Sequence, residues 1–303
     1  MRLIALTLAL AAPAAAGAQT VTTEGDGSRT LVVEALVPAP PEAVWQAVST
    51  AEGWKSWAVP AAWLSGDLLE TAYDPAAQPG AANNIQQRFL ERVPGKSLVF
   101  RTVRTPAGFP HAEAFMRVTH FLLLRPEAGG TRVQLTDRGY PAGAEGDELL
   151  GFFKVGNQEA IDHLAARFGL APLDFLSGHC WRGTLPNGDI DTHCFKAGGG
   201  QVTDRHEVAR AGARIYWGDT VYAWQGRAIG WTYAAMDGGA MKGNVSQAPD
   251  GLDFGTADFT ATDGTKIAIA TRWIRIGDAA YEARDTSPAM PAHNRTTRYE
   301  RVD

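Results

Sequence analysis

The sequence predicts an α+β domain, in which an antiparallel sheet wraps a long helix, followed by an all-β barrel. Three observations support this. A strand-like run, Leu31 to Val37, passes directly into a helical segment, and a second, longer helical period spans residues 146–168. Beyond residue 175 the chain consists of short strand-like runs separated by glycine turns. Its length of 303 residues suits two domains better than one core.

The first eighteen residues are typical of an export signal. A positive charge at Arg2 precedes an apolar run from Leu3 to Ala12, and Ala16-Gly17-Ala18 offers small residues for cleavage after Ala18. The run is too short to span a bilayer, although a membrane anchor or a buried first helix is the alternative. We therefore expect a periplasmic or secreted protein with signal peptide 1–18, linker 19–29 and no integral membrane segment in the mature chain.

In the first half of the chain, the sequence pattern predicts helices near both ends and antiparallel strands between them. The prolines at 40 and 41 and the acidic Glu42 suit the first turn of a helix, which we expect Gly53 to close. Farther along, apolar residues recur at helical spacing through the long amphipathic segment 146–168. The period-two runs between these helices predict antiparallel strands at Ile85 to Arg92, Ser97 to Val103, Phe115 to Leu124 and Thr131 to Thr136.

Three blocks of this half, at 40–54, 91–100 and 130–136, resemble the START-like (SRPBCC, Bet v1-like) superfamily. Within it they are most similar to the branch related to the activator of Hsp90 ATPase. For residues 30–170 the resemblance implies a helix-grip fold with a cavity between the sheet and the long helix. Cavities of this superfamily commonly hold lipids or other apolar small molecules, and a minority of its members are cyclases.

Within the strand that begins at Phe115, the even positions Met116, Val118 and His120 share one face. A histidine on an apolar face could act as an acid or base, but we favour a hydrogen-bonded core histidine. Aromatic residues near the mouth could contact a ligand or simply pack. The predicted cavity residues are Trp54, Trp57, Trp63, Phe100, Met116, Val118, His120 and Phe153.

The second half, residues 171–303, predicts about ten short strands and no long helix. Such spacing is typical of an up-and-down barrel, which closes to hide its strand edges. The runs 175–178 (Phe-Leu-Ser-Gly) and 181–184 (Trp-Arg-Gly-Thr) resemble lipocalin-like or calycin-like domains. The predicted strands are 180–185, 189–195, 202–208, 214–216, 221–224, 228–234, 252–261, 266–276, 280–285 and 296–301.

The two cysteines of the chain lie on either side of a predicted hairpin. If Gly188 occupies the left-handed position of a three-residue loop, Cys180 falls opposite Cys194, within disulfide reach. Export to an oxidising compartment favours the bond, and the alternative is two buried thiols. We expect no metal site, because His179 and His193 merely adjoin the cysteines and lack the spacing of a zinc centre.

Asp204 and His206 should share one strand face, with Arg205 and Glu207 on the other. An acid–base or ligand role is possible, but we favour a solvated strand surface. Some small bacterial barrels bind haem through a histidine, for which His193 or His206 would be the candidates. We expect no cofactor, because a lone histidine carries little specificity.

These features predict a binding protein rather than an enzyme, with an apolar small molecule or a lipid as its partner. The net charge of −5 argues against a nucleic-acid partner. The sequence also contains no nucleophile elbow, phosphate loop, zinc-protease helix or dinucleotide fingerprint. One alternative is a cyclase or isomerase that uses His120. Another is a protein-interaction module like the Hsp90 ATPase activators, although export would separate this chain from their cytosolic partner.

Overall fold

A computed structural model describes residues 19–291 and 294–302 of the chain. The predicted signal peptide, residues 1–18, lies outside the described residues.

The N-terminal half is an eight-stranded antiparallel sheet with helices on one face. The sheet order is β1-β2-β8-β7-β6-β5-β4-β3. Its elements are β1 (Thr20–Thr23), β2 (Arg29–Val37), α1 (Pro41–Ser49), α2 (Ala51–Lys55), β3 (Ala61–Ser65), β4 (Leu68–Ala72), β5 (Ile85–Val93), β6 (Ser97–Arg104), α3 (Ala112–Arg117), β7 (Thr119–Glu127), β8 (Gly130–Tyr140) and α4 (Ala144–Gly169).

The long helix α4 packs against β2 and β8, as the amphipathic pattern predicts. Leu149, Ile161 and Leu164 of the helix are almost fully buried and join one core with Val33 of β2 and Val133 of β8. Burial of such side chains contributes about 1.5–3 kcal/mol each before chain entropy is subtracted. The predicted arrangement of an antiparallel sheet on a long helix is therefore confirmed.

The predicted strand from Phe115 to Leu124 is wrong at its start. Residues 112–117 form the short helix α3, and β7 begins only at Thr119. His111, with φ at 55°, turns the chain into this helix, and the good helix formers that follow continue it. Met116 therefore lies on a helix, and Val118 caps its end.

The C-terminal half closes into a ten-stranded barrel, in the order β10-β11-β12-β13-β14-β15-β16-β17-β18-β9. A short 3-10 turn at Ala171–Leu173 connects α4 to it. The strands are β9 (Cys180–Thr184), β10 (Ile190–Gly198), β11 (Gln201–Arg210), β12 (Ala213–Trp224), β13 (Ile229–Ala235), β14 (Ala240–Ala248), β15 (Gly251–Thr260), β16 (Lys266–Arg275), β17 (Ala280–Thr286) and β18 (Arg295–Arg301).

In the barrel, one strand was predicted as two separate strands and another was missed. The runs 214–216 and 221–224 are parts of one continuous strand, β12, and strand β14 was not predicted at all. Val245 is the buried residue of β14, and the sequence of this strand shows no clear alternation of apolar and polar residues. Pairing with β13 holds these residues in an extended conformation.

The hairpin of β9 and β10 has the register that the sequence predicts. Gly188 adopts a left-handed φ of 87°, and the amide of Leu185 donates to the carbonyl of Asp189. Cys180 pairs directly with Cys194, and the two are joined by a disulfide.

A buried carboxylate in β4 leads to a prediction about acid stability. Burial alone would raise the pKa of Glu70, but hydrogen bonds from Asn84, Gly80 and Gln86 and the charge of Arg104 hold it below its ordinary value. A lowered pKa stabilises the fold above the ordinary value of 4.5, and this stabilisation is lost as the pH falls through the lower folded value.

We expect Glu70→Gln to destabilise the protein by about 1–2 kcal/mol at pH 7. The variant should also lose part of the acid dependence of stability, which urea unfolding between pH 3 and pH 7 measures. Parallel stability curves for the wild type and the variant below pH 4.5 would show that Glu70 does not contribute in this way.

Candidate functional site

The interior of the N-terminal half holds His120 in a buried polar network. His120 Nδ1 lies 2.6 Å from Asp137 Oδ1, and the other carboxylate oxygen accepts hydrogen bonds from Tyr140 (2.8 Å) and Asn157 (2.6 Å). The His120 ring stacks on Phe100, with 4.8 Å between ring centroids. The favoured interpretation of His120 as a hydrogen-bonded core histidine agrees with this geometry.

Aromatic rings fill the space beside this network. Phe153 of α4 stacks on Phe115 at 4.3 Å, and Phe109 packs against both. The indole nitrogens of Trp54 and Trp57 donate to the carbonyls of Val48 and Ala47.

Of the remaining predicted cavity residues, Trp63 is half-buried on β3, Met116 is half-buried on α3, and Val118 is fully buried. Lining of a ligand cavity by these residues and by Trp54, Trp57, Phe100, His120 and Phe153 stays a prediction.

A cavity lies inside the barrel and is lined by residues from β10 to β18. It has a volume of about 470 Å³. Its wall is mostly apolar and aromatic, with Trp231, Met241, Phe254, Ile267, Ile269 and Trp273 among the lining residues. A second group of lining residues is polar and includes His193, Asp204, His206, Tyr216 and Tyr233.

The sequence pattern Asp-x-His occurs twice at this polar region, as Asp191-Thr192-His193 on β10 and Asp204-Arg205-His206 on β11. Residues two apart on a strand share a face, so each pair points to the same side. The strands run antiparallel with His193 directly opposite His206. This register places each aspartate diagonally across from the histidine of the other strand, where side chains can meet.

The contacts follow that diagonal arrangement. His193 Nδ1 lies 2.7 Å from Asp204 Oδ2, and His206 Nε2 lies 2.8 Å from Asp191 Oδ1. The two imidazole rings stack with 4.4 Å between their centroids and 5° between their planes. Tyr299 donates a hydrogen bond to Asp191 Oδ2 at 2.7 Å.

Burial and charge act in opposite directions in this cluster. Burial would raise the pKa of Asp191, but His206, His193 and the Tyr299 hydroxyl together hold it well below its ordinary value. Burial would likewise lower the pKa of His193, but the carboxylate of Asp204 raises it to about 9. The cluster thus favours an ionised Asp191 and a protonated His193 within a mainly apolar barrel.

Sequence reasoning placed Asp204 and His206 on one face but was wrong to favour a solvated surface. Asp204 is 1% exposed and faces the cavity, while Arg205 is exposed and pairs with Asp219. The involvement of Asp191 was missed. The repeated Asp-x-His pattern on two neighbouring strands was the signal that could have revealed it.

Comparison with known proteins concerns the N-terminal half. Residues 28–169 match the family model described as polyketide cyclase / dehydrase and lipid transport. The match supports the START-like resemblance of this half, and residues 28–169 are called the START-like domain below. None of the curated proteins matches the chain.

Solved structures that resemble the START-like domain include protein MLL2253 from Mesorhizobium loti, which is 20% identical, with 46% of this chain and 96% of that chain covered and a TM-score of 0.37. The Aha1 dimer from Colwellia psychrerythraea is 16% identical, with 44% and 95% covered and a TM-score of 0.32. The AHSA1-like protein from Aeromonas hydrophila is 18% identical, with 48% and 95% covered and a TM-score of 0.35.

The family match ends at residue 169, before the first strand of the barrel. The barrel cavity therefore lies outside the matched START-like domain. Across the described ranges, no helix is both long and apolar enough to cross a bilayer.

Proposed function

We propose that the chain is an exported binding protein whose barrel holds an apolar small molecule with one polar end. The observation that carries this proposal is the barrel cavity, whose wall is mainly apolar and whose polar side chains cluster around His193 and His206.

Size and chemistry agree with such a ligand. A volume of about 470 Å³ falls within the range of ordinary ligand pockets, roughly 300–1,000 Å³. Small closed barrels of this kind can hold one small ligand in their interior. The aromatic wall would bury the apolar body of the ligand, and the polar cluster would orient its head group.

Two further features favour the proposal. The START-like domain matches a family whose description includes lipid transport, which supports an apolar ligand for this chain too. The predicted export signal, with cleavage expected after Ala18, and the Cys180–Cys194 disulfide both suit an oxidising extracytoplasmic compartment.

The proposal is tested with an apolar fluorescent probe, N-phenyl-1-naphthylamine, and a substitution that fills the cavity. Ala257 of β15 lines the cavity, whereas the neighbouring Thr256 is exposed. We expect Ala257→Phe to weaken probe binding at least about tenfold, a loss of roughly 1.4 kcal/mol, while the matched control Thr256→Phe leaves it unchanged.

Energy transfer from tryptophan to the bound probe reports binding, and the Ala257→Phe variant locates it in the barrel, whose cavity Trp231 and Trp273 also line. Equal probe affinity in the wild type and in a folded Ala257→Phe variant would contradict the barrel as the binding site.

A further inference from the structure

We propose that Asp191, His193 and His206 form a binding site for a divalent transition-metal ion, Zn²⁺ or Fe²⁺, on the wall of the barrel cavity. The potential ligand atoms are one carboxylate oxygen and two imidazole nitrogens, which lie within 4.8 Å of one another. Two histidines and one carboxylate are a donor set that both ions use in proteins.

The three potential ligand atoms are close enough for one small ion after side-chain adjustment. Asp191 Oδ1 lies 2.8 Å from His206 Nε2 and 3.8 Å from His193 Nε2. A tetrahedral ion with ligands at about 2.0–2.1 Å separates its ligand atoms by about 3.3 Å. Because the three atoms lie within 4.8 Å of one another, coordination requires side-chain shifts of up to about 1.5 Å. The stacked rings of His193 and His206 must also tilt so that a nitrogen of each faces the ion.

Two of the three potential ligand atoms lack a hydrogen bond of normal geometry. Asp191 Oδ1 and His206 Nε2 are both buried and, among the described residues, neither has a hydrogen-bond partner of correct geometry despite their closeness. A buried polar atom without a partner is costly, and a shared ion would satisfy both atoms.

The neighbouring side chains orient the ligands as partners of metal sites do. Asp204 holds Nδ1 of His193, which leaves Nε2 of that ring directed at the ion, and Tyr299 holds the second oxygen of Asp191. A carboxylate behind a ligating histidine and a hydrogen bond to a ligating carboxylate are the usual supports of such sites.

Three protein ligands leave at least one coordination position for a water or another molecule. His193 and His206 line the cavity, and Tyr216 and Tyr233 lie beside His206 on the same wall. The vacant position would therefore face the cavity, which is the arrangement of a reactive rather than a purely structural metal site.

The test uses the full mature chain, stripped with a chelator and titrated with Zn²⁺ by calorimetry and with Co²⁺ by visible absorption. We expect one ion per chain and the intense visible bands of a four- or five-coordinate Co²⁺. Asp191→Asn and His206→Gln should each weaken Zn²⁺ binding at least about 100-fold, and Asp204→Asn should weaken it about 10- to 100-fold.

The matched control is His111→Gln. His111 also lies beside two carboxylates, Glu145 at 3.5 Å and Glu148 at 2.7 Å, but on the surface of the N-terminal half. Its substitution should leave Zn²⁺ binding unchanged. The cavity-filling variant Ala257→Phe should also keep the ion, which separates this inference from the proposed binding function.

Absence of stoichiometric Zn²⁺ or Co²⁺ binding by the wild type would overturn the proposal. So would wild-type affinity in His206→Gln, or loss of the ion in His111→Gln alone. Near-UV circular dichroism identifies any variant that fails to fold, and Asp204→Asn and the Co²⁺ spectrum of the wild type then decide the question.

Discussion

Asp137→Ala is expected to lower the free energy of unfolding by about 3–5 kcal/mol. Asp137 is fully buried and holds three neighbours: His120, Tyr140 and Asn157. Burial and the charge of Asp137 raise the pKa of Tyr140 far above its ordinary value, so its hydroxyl keeps its proton and donates. Removal of the carboxylate strands three polar groups in the core of the START-like domain.

Urea unfolding followed by circular dichroism measures this loss. The matched control is Asp67→Ala, which removes a salt bridge to Arg88 whose partners are about half exposed, and it should cost less than about 1 kcal/mol. Similar losses in the two variants would contradict the role given to Asp137.

Loss of the disulfide is expected to have the second large effect. Replacing both Cys180 and Cys194 by alanine should lower the free energy of unfolding by about 2–4 kcal/mol, because the bond closes a loop of 14 residues and restricts the unfolded chain. Thermal unfolding measures the change.

A reducing agent separates the disulfide from a packing effect of the cysteines. Dithiothreitol should lower the midpoint of thermal unfolding in the wild type but not in the double variant. An unchanged midpoint in the reduced wild type would mean that the hairpin of β9 and β10 needs no covalent bond, and it would contradict the stabilising role given to the disulfide.

The sequence predicted those elements whose apolar residues repeat with a clear period. Strand β2, helix α4 and the β9–β10 hairpin were each indicated by local pattern or turn chemistry. Strand β14 was not, because Lys242, Gly243 and Asn244 have low strand propensity and only pairing with neighbouring strands makes them extended. Helix α3 was mistaken for a strand because alternation of apolar residues in a short run does not distinguish the two.

The polar cluster of the barrel was only half predictable. Period two alone placed Asp204 beside His206 on one face. Which face of β11 turns inward depends on closure of the barrel, and the contact with Asp191 depends on the register that pairs His193 with His206. Both are set by pairing along the whole barrel rather than by any local run of residues.

Native mass spectrometry of the exported, purified chain tests the central claim most directly. We predict a polypeptide that begins at Gln19, together with additional mass that organic extraction releases as an apolar small molecule. Ala257→Phe should carry markedly less of this mass, and Thr256→Phe as much as the wild type. A chain with no bound molecule, or the same bound mass in a folded Ala257→Phe variant, would contradict a ligand in the barrel.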